Sequence, residues 1–208
     1  MALAVDHIFV MTSVGAPAAE RLRDSGLTEG SPNRHTGQGT ACRRFFFRNA
    51  MLELLWVEDE AEVRSPAVRR TQLWEHWSGR SEGASPFGVI LHGGDRCPFP
   101  AWQYTNPGMP GFAIEAAAAT VIEEPLWFHF STSFPPSVQP REHACGARDL
   151  TAVRLTGPAL PHDSVTAAMD RHALIATAVG PHLLELQFDG GRQGRVDFLP
   201  HLPLAFRW

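Results

Sequence analysis

The sequence predicts an α+β protein in which a strand–helix–strands unit occurs at both ends of the chain, with an inserted helix and strands between. Three observations lead to this reading. The runs "MLELLWV" (51–57) and "LLELQF" (183–188) both look like strands, and each sets one carboxylate, Glu53 or Glu185, among leucines. Both runs follow an earlier strand-like run and a helical segment, in the same order. The middle of the chain is instead broken up by proline and glycine. Two acids in similar strands suggest an internal duplication with a polar site inside it.

The elements follow from periodicity and punctuation. "AVDHIFVM" (4–11) reads as a first strand ended by "TSVGAP", and Pro17 sits where a first helical turn accepts it, ahead of Ala19, Leu22 and a stop at Gly26. A strand through 40–48 and the "MLELLWV" run are joined tightly at Asn49 and Ala50, which predicts an antiparallel hairpin. "AVRRTQLWEHWSG" (67–79) carries Val68, Leu73 and Trp77 at helical spacing after a Ser65–Pro66 start. "PFGVILHGG" and "EPLWFHFST" are strand-like, and the intervening "DRCPFPAWQYTNPGMPG" is too rich in proline and glycine for regular structure. From 149, "DLTAVRLTGP" resembles the first strand. "DSVTAAMDRHAL" presents Val165, Ala168, Met169 and His172 on one helical face, and two further strand regions close the chain. The expected divisions are a first module at 1–60, a connecting segment at 61–147 and a second module at 148–208, within one structural domain.

Composition narrows the function. The 208 residues carry a net charge of −4 and no basic stripe, which argues against a nucleic-acid partner. No apolar run approaches the roughly 18 residues of a membrane span, and the start does not resemble a signal peptide. Three widely spaced cysteines, Cys42, Cys97 and Cys145, fit reduced thiols and a cytoplasmic location. All 18 basic residues are arginine, so Schiff-base and P-loop lysine chemistry is excluded.

Alternate side chains of a strand share a face. Val5, His7 and Phe9 therefore fall on one side of the first strand, and Met51, Glu53 and Leu55 on one side of the later one. If Ile8, Leu52 and Leu54 pack under the helix, His7 and Glu53 face the opposite surface. A buried carboxylate needs a partner: a metal, an arginine, or water in a cavity. Imidazole plus carboxylate suits iron, zinc, manganese or nickel. Arg44 could pair Glu53 or hold a substrate carboxylate. His35, Gln38 and Thr40 of "HTGQGT" are candidates for a loop over a cavity, with a plain turn as the alternative. His92 and His129 read as structural strand histidines, His172 as a core histidine, and the aromatics Trp74, Trp77, Trp102, Tyr104, Trp127 and Phe128 as core or subunit interface.

With "VDHIFV", "RHTGQGTACRRFFF", "LELLWV" and the repeated "LLELQF" in view, the chain resembles the vicinal oxygen chelate superfamily of glyoxalases, bleomycin-resistance proteins and dioxygenases, in particular its glyoxalase-like domain branch. The resemblance implies two βαβββ modules whose curled mixed sheets enclose a concave site, and it makes a homodimer plausible. It also implies metal ligands at His7, Glu53 and Glu185. Glu53 and Glu185 are then the catalytic candidates, and the residues read above, His35, Gln38, Thr40 and Arg44, the substrate-binding ones. The position matching His7 in the later unit is Ala152, which cannot bind a metal. The expected function is metal-assisted lyase, isomerase or dioxygenase chemistry on a small oxygenated substrate. The alternatives are a metal-free ligand-sequestering protein of the bleomycin-resistance type, and an interaction protein built around the insertion.

Overall fold

The computed structural model describes residues 2–109, 111–118, 121–131, 138–172 and 175–208. The chain opens with β1 (Ala4–Met11), α1 (Ala19–Asp24), β2 (Asn33–His35), β3 (Thr40–Phe46) and β4 (Met51–Val57). β3 and β4 form the expected hairpin, in register from Thr40 opposite Val57 to Phe46 opposite Met51. β4 then lies parallel to β1, a pairing that needs the intervening helix and strands as its crossover.

The stretch predicted as one helix over 67–79 is divided. After α2 (Glu60–Val63) comes a single 3-10 turn (Arg69–Thr71), and α3 (Leu73–Gly79) starts only after Gln72. Gln72 has φ 60° and ψ 18°, a left-handed conformation that ends the turn and re-aims the chain.

β5 (Phe87–His92), β6 (Ala101–Thr105), β7 (Ala113–Ala117) and β8 (Leu126–Phe130) follow, and they join the first four strands in one mixed sheet ordered β2-β3-β4-β1-β5-β8-β7-β6. β1 and β5 run antiparallel at the centre, each with a parallel neighbour, β4 or β8, on its outer side. In strand order, residues 87–130 therefore mirror residues 4–57. The α+β class and the curled mixed sheets are those the sequence predicts, but the half of the sheet beside the first module comes from the segment read as a connection. One strand of that half, β6, lies inside the Pro/Gly-rich stretch expected to be irregular. Pro98, Pro100 and Pro107 all fall outside it, so "AWQYT" pairs along its whole length with β7.

The C-terminal residues build a second, five-stranded sheet from β9 (Leu150–Gly157), α4 (Asp163–His172), β10 (Ala176–Val179), β11 (Leu183–Phe188), β12 (Arg195–Asp197) and β13 (Leu204–Arg207), in the order β10-β9-β11-β13-β12. One face of the large sheet, with Ile8, Leu52, Leu54, Val89 and Trp127, shares a single core with Leu22 of α1, Val165 and Met169 of α4, and Leu184, Leu186 and Phe206 of the second sheet. Phe47 stacks on Phe188 at 4.2 Å across this seam. The Asn49 side chain donates to Leu150 O (2.9 Å) and accepts from Leu150 N–H (2.8 Å), tying the hairpin turn to the second sheet. His172, expected in the core, is exposed at the end of α4.

The opposite face of the large sheet is concave and carries a second apolar cluster: Phe9, Met11, Leu55, Val57, Ile90, Tyr104, Phe128 and Phe130, closed at one side by Val63 and Leu73. No helix among the described residues is long and apolar enough to cross a membrane.

Candidate functional site

A β-bulge begins the site. β1 and β5 pair Val5 with Leu91 and His7 with Ile90, so Asp6 is an extra residue in β1. Strict alternation would put Val5, His7 and Phe9 on one face. The bulge moves Val5 into the core shared with the second sheet, while Phe9 remains in the concave cluster and His7 lines the concave cavity. Asp6 is thereby left beside His7, and its Oδ1 lies 2.6 Å from His7 Nδ1. A carboxylate there fixes the ring and makes Nδ1 the protonated nitrogen, so Nε2 faces the cavity. Nε2 lies 4.0 Å from Glu53 Oε2.

Glu53 is only 4% exposed. Arg44 is directly opposite it in the β3–β4 register, but its guanidinium turns away to the Ser31 carbonyl (2.8 Å), Ser31 Oγ (2.9 Å) and the Phe46 ring. The Cys42 thiol hydrogen-bonds to Glu53, and burial first, then the Glu53 charge, push that thiol far above the ordinary range. Burial disfavours a charged His7, yet Glu53 and then Asp6 outweigh it and hold its pKa above the ordinary imidazole value.

The β2–β3 turn supplies the next wall. Gly37 and Gly39 have φ near +79° and +78°, and a methyl group on Gly39 would collide with the Asp59 carbonyl and the Val63 amide. With the turn pinned there, His35 Nδ1 meets Thr40 Oγ1 at 2.9 Å, and Gln38 Nε2 donates to the same hydroxyl at 2.8 Å. Gln38 Oε1 accepts from Tyr104 Oη (3.1 Å) and Asn106 Nδ2 (3.0 Å). This chain fixes the orientation of the Gln38 amide and links the two halves of the sheet. Burial holds the His35 pKa below its ordinary value, which keeps the ring neutral and able to use a lone pair.

These groups surround a cavity of about 120 Å³. Its lining is polar at His7, His35, Gln38, Glu53 and Asn106 and apolar at Phe9, Leu55, Ile90, Ile114, Phe128 and Phe130. His7, His35, Gln38 and Glu53 are thus brought together, and Thr40 stands behind His35. Arg44 lies outside the cavity lining, and so does Glu185. On β11 the apolar residues Leu184, Leu186 and Phe188 turn inward, leaving Glu185 on the outer face, 3.9 Å from Arg154 and 4.0 Å from Arg207. Asp6, Tyr104 and Asn106 were not anticipated. The alternation of Trp102 and Tyr104 was the available signal for β6, and Asp6 needed the bulge. Tyr104 and Phe128, grouped with the core aromatics on sequence grounds, face the cavity.

The donor set fits a divalent ion. His35, Cys42 and Glu53 each bring a ligand atom within 4.8 Å of the others, and His7 Nε2 is aimed at the same carboxylate.

The curled mixed sheet in two four-stranded halves is consistent with the vicinal oxygen chelate fold. Residues 5–95 match the model of the Glyoxalase-like domain family. Over the whole chain the fold is similar to that in the "Crystal Structure of a hypothetical protein from Staphylococcus aureus", with a TM-score of 0.55 at 9% sequence identity, covering 100% of this chain and 99% of that one. No curated protein matches.

Proposed function

We propose that the protein is a small-molecule enzyme of the vicinal oxygen chelate type, acting on a compact oxygenated substrate in the concave cavity. The observation that carries this reading is the buried Glu53 carboxylate, which has His7 across 4.0 Å and no arginine turned toward it. His7, His35 and Glu53 would hold an iron, zinc, manganese or nickel ion. Such an ion would supply Lewis-acid polarisation of substrate oxygens.

The chain's own residues do the rest. Asp6 keeps His7 in one tautomer, and Thr40 orients His35. Glu53 is the group placed to take a proton from the substrate. Phe128, Phe130 and Ile90 exclude water and receive the hydrocarbon part of the molecule. The Gln38 amide, held by Tyr104 and Asn106, positions the polar wall against which the substrate rests.

A second reading is metal-free sequestration of a small aromatic ligand. It is favoured by the apolar part of the lining, where Ile90, Phe128 and Phe130 offer an aromatic ligand its contact surface. Elemental analysis of the untagged protein, with His7→Ala and Glu53→Gln variants, separates the two. Near-stoichiometric metal lost in both variants supports the enzyme. No metal after reconstitution with each ion, combined with thermal shifts by aromatic ligands, replaces it with the binding protein.

A further inference from the structure

On the opposite, convex face of the large sheet lies a second cluster of chemistry-bearing side chains. His129 of β8 and Glu115 of β7 are register partners, and the loop after β5 brings Cys97 to them. One ligand atom from each lies within 4.8 Å of the other two. His129 and Glu115 alternate with Phe128, Phe130, Ile114 and Ala116, which belong to the concave side, so this cluster is separate from the cavity described above.

The hydrogen bonding of His129 is the informative feature. Its side chain is fully buried. Nε2 lies 2.7 Å from the Gly93 carbonyl, and Nδ1 lies 2.7 Å from Glu115 Oε2. Both neighbours are acceptors, and a neutral imidazole donates from one nitrogen only. With the Nε2 proton given to the carbonyl, as backbone carbonyls receive it behind metal-bound histidines, Nδ1 is left as a free ligand atom. The Nδ1 lone pair then confronts a carboxylate oxygen, a contact relieved by a shared proton or by a metal ion that takes both atoms as ligands. A proton alone would make an imidazolium–carboxylate pair and give Cys97 no part. A soft divalent ion uses all three donors, because nitrogen, carboxylate oxygen and thiolate together suit zinc and its spectroscopic substitute cobalt.

We propose that Cys97, Glu115 and His129 form a second metal site, selective for a thiophilic divalent ion of the zinc class, with His129 Nδ1, a Glu115 oxygen and the Cys97 thiolate as ligands and a fourth position open to water. The Glu115 side chain is 41% exposed, which gives the ion a route from solvent. The site joins the sheet to the 93–100 loop, so loading it fastens that loop to β7 and β8.

The test is a titration of the full-length, chelator-treated protein with Co²⁺, followed by the thiolate-to-cobalt charge-transfer band in the near ultraviolet. The expected result is a band that reaches a stoichiometric end point, is displaced by Zn²⁺, disappears in Cys97→Ala, and survives in Cys42→Ala and Glu53→Gln. Glu115→Gln should weaken Co²⁺ binding by at least roughly tenfold, the lower limit seen when even an outer partner of a ligand is removed. Cys97 and Glu115 are both partly exposed, so these variants avoid the folding risk of changing His129 itself. Absence of the band in the unaltered protein would overturn the proposal. A band that vanished with Cys42 and not with Cys97 would also overturn it.

Discussion

Gly88 gives the sharpest prediction. It sits on β5 directly beneath the Phe9 ring, opposite Phe9 in the β1–β5 register. A methyl group built on Gly88 would lie 2.5 Å from Phe9 Cε2 and closer still to Cζ and Cε1. Ordinary carbon contacts are about 3.5–4.0 Å, so the ring must retreat by more than roughly 1 Å. Phe9 is 4% exposed and packs against Phe128, with centroids 6.5 Å apart, so the free space available to it is the cavity it lines. Overpacking of this kind costs about 1–3 kcal/mol. For a chain of this length that lowers Tm by about 2–12 °C. Urea and thermal unfolding of Gly88→Ala, Phe9→Leu and the double variant measure it. The double variant should recover at least about 0.5 kcal/mol relative to the sum of the single changes. A Gly88→Ala protein with unaltered Tm, or strictly additive single changes, would refute the steric argument.

Three further outcomes are expected. His143 accepts the Thr28 N–H at Nδ1 (3.0 Å) and donates from Nε2 to the Phe46 carbonyl (3.0 Å), and burial holds its pKa below the ordinary value. Between that lowered value and about 6.5 the unfolded chain binds more protons than the folded one, so stability should fall as pH drops below about 6.5. Urea midpoints across this range should show the slope, and His143→Gln should reduce it, with His35 and His76, whose pKa values burial also lowers, contributing in the same direction. In chelator-treated protein, Glu53→Gln should lower the His7 titration midpoint read by NMR, because burial alone then opposes the charged ring with only Asp6 to support it. Asn49→Ala removes both hydrogen bonds to Leu150, and should lower unfolding free energy by about 1–2 kcal/mol without changing the urea m-value.

The faces of β1 and β4 were more legible in the sequence than the way the strands around them assemble. "VDHIFV" and "MLELLWV" put His7 and Glu53 on one surface because their partners Ile8, Leu52 and Leu54 are apolar, and that is where they lie. The same logic misled at Glu185. In "MLELLWV" the residues sharing a face with Glu53 are Met51, Leu55 and Val57, so both faces of the strand are apolar and both become covered. In "LLELQF" the neighbours on the Glu185 face are Leu183 and Gln187, and only one face is consistently apolar. The two runs look alike along the chain and differ in how many layers they can support. β6 was hidden by the prolines around it. The role of Asp6 was hidden by the bulge, which depends on how β1 meets β5 and leaves no mark in the β1 sequence itself.

The two sides of the cavity have a further consequence. Strand order makes the halves of the sheet equivalent, but their chemistry is not: the carboxylate and both imidazoles come from β1–β4, beside Phe9 and Leu55, while β5–β8 bring Ile90, Phe128 and Phe130 with the Tyr104 hydroxyl. A molecule with a polar end and a hydrocarbon end is therefore accepted in one direction only. Turning it round would strip a hydroxyl or carbonyl of its partners, at about 1–3 kcal/mol, a preference of roughly 5- to 150-fold for a single orientation. Regioselectivity is thus written into the asymmetry between β1–β4 and β5–β8, ahead of any chemical step.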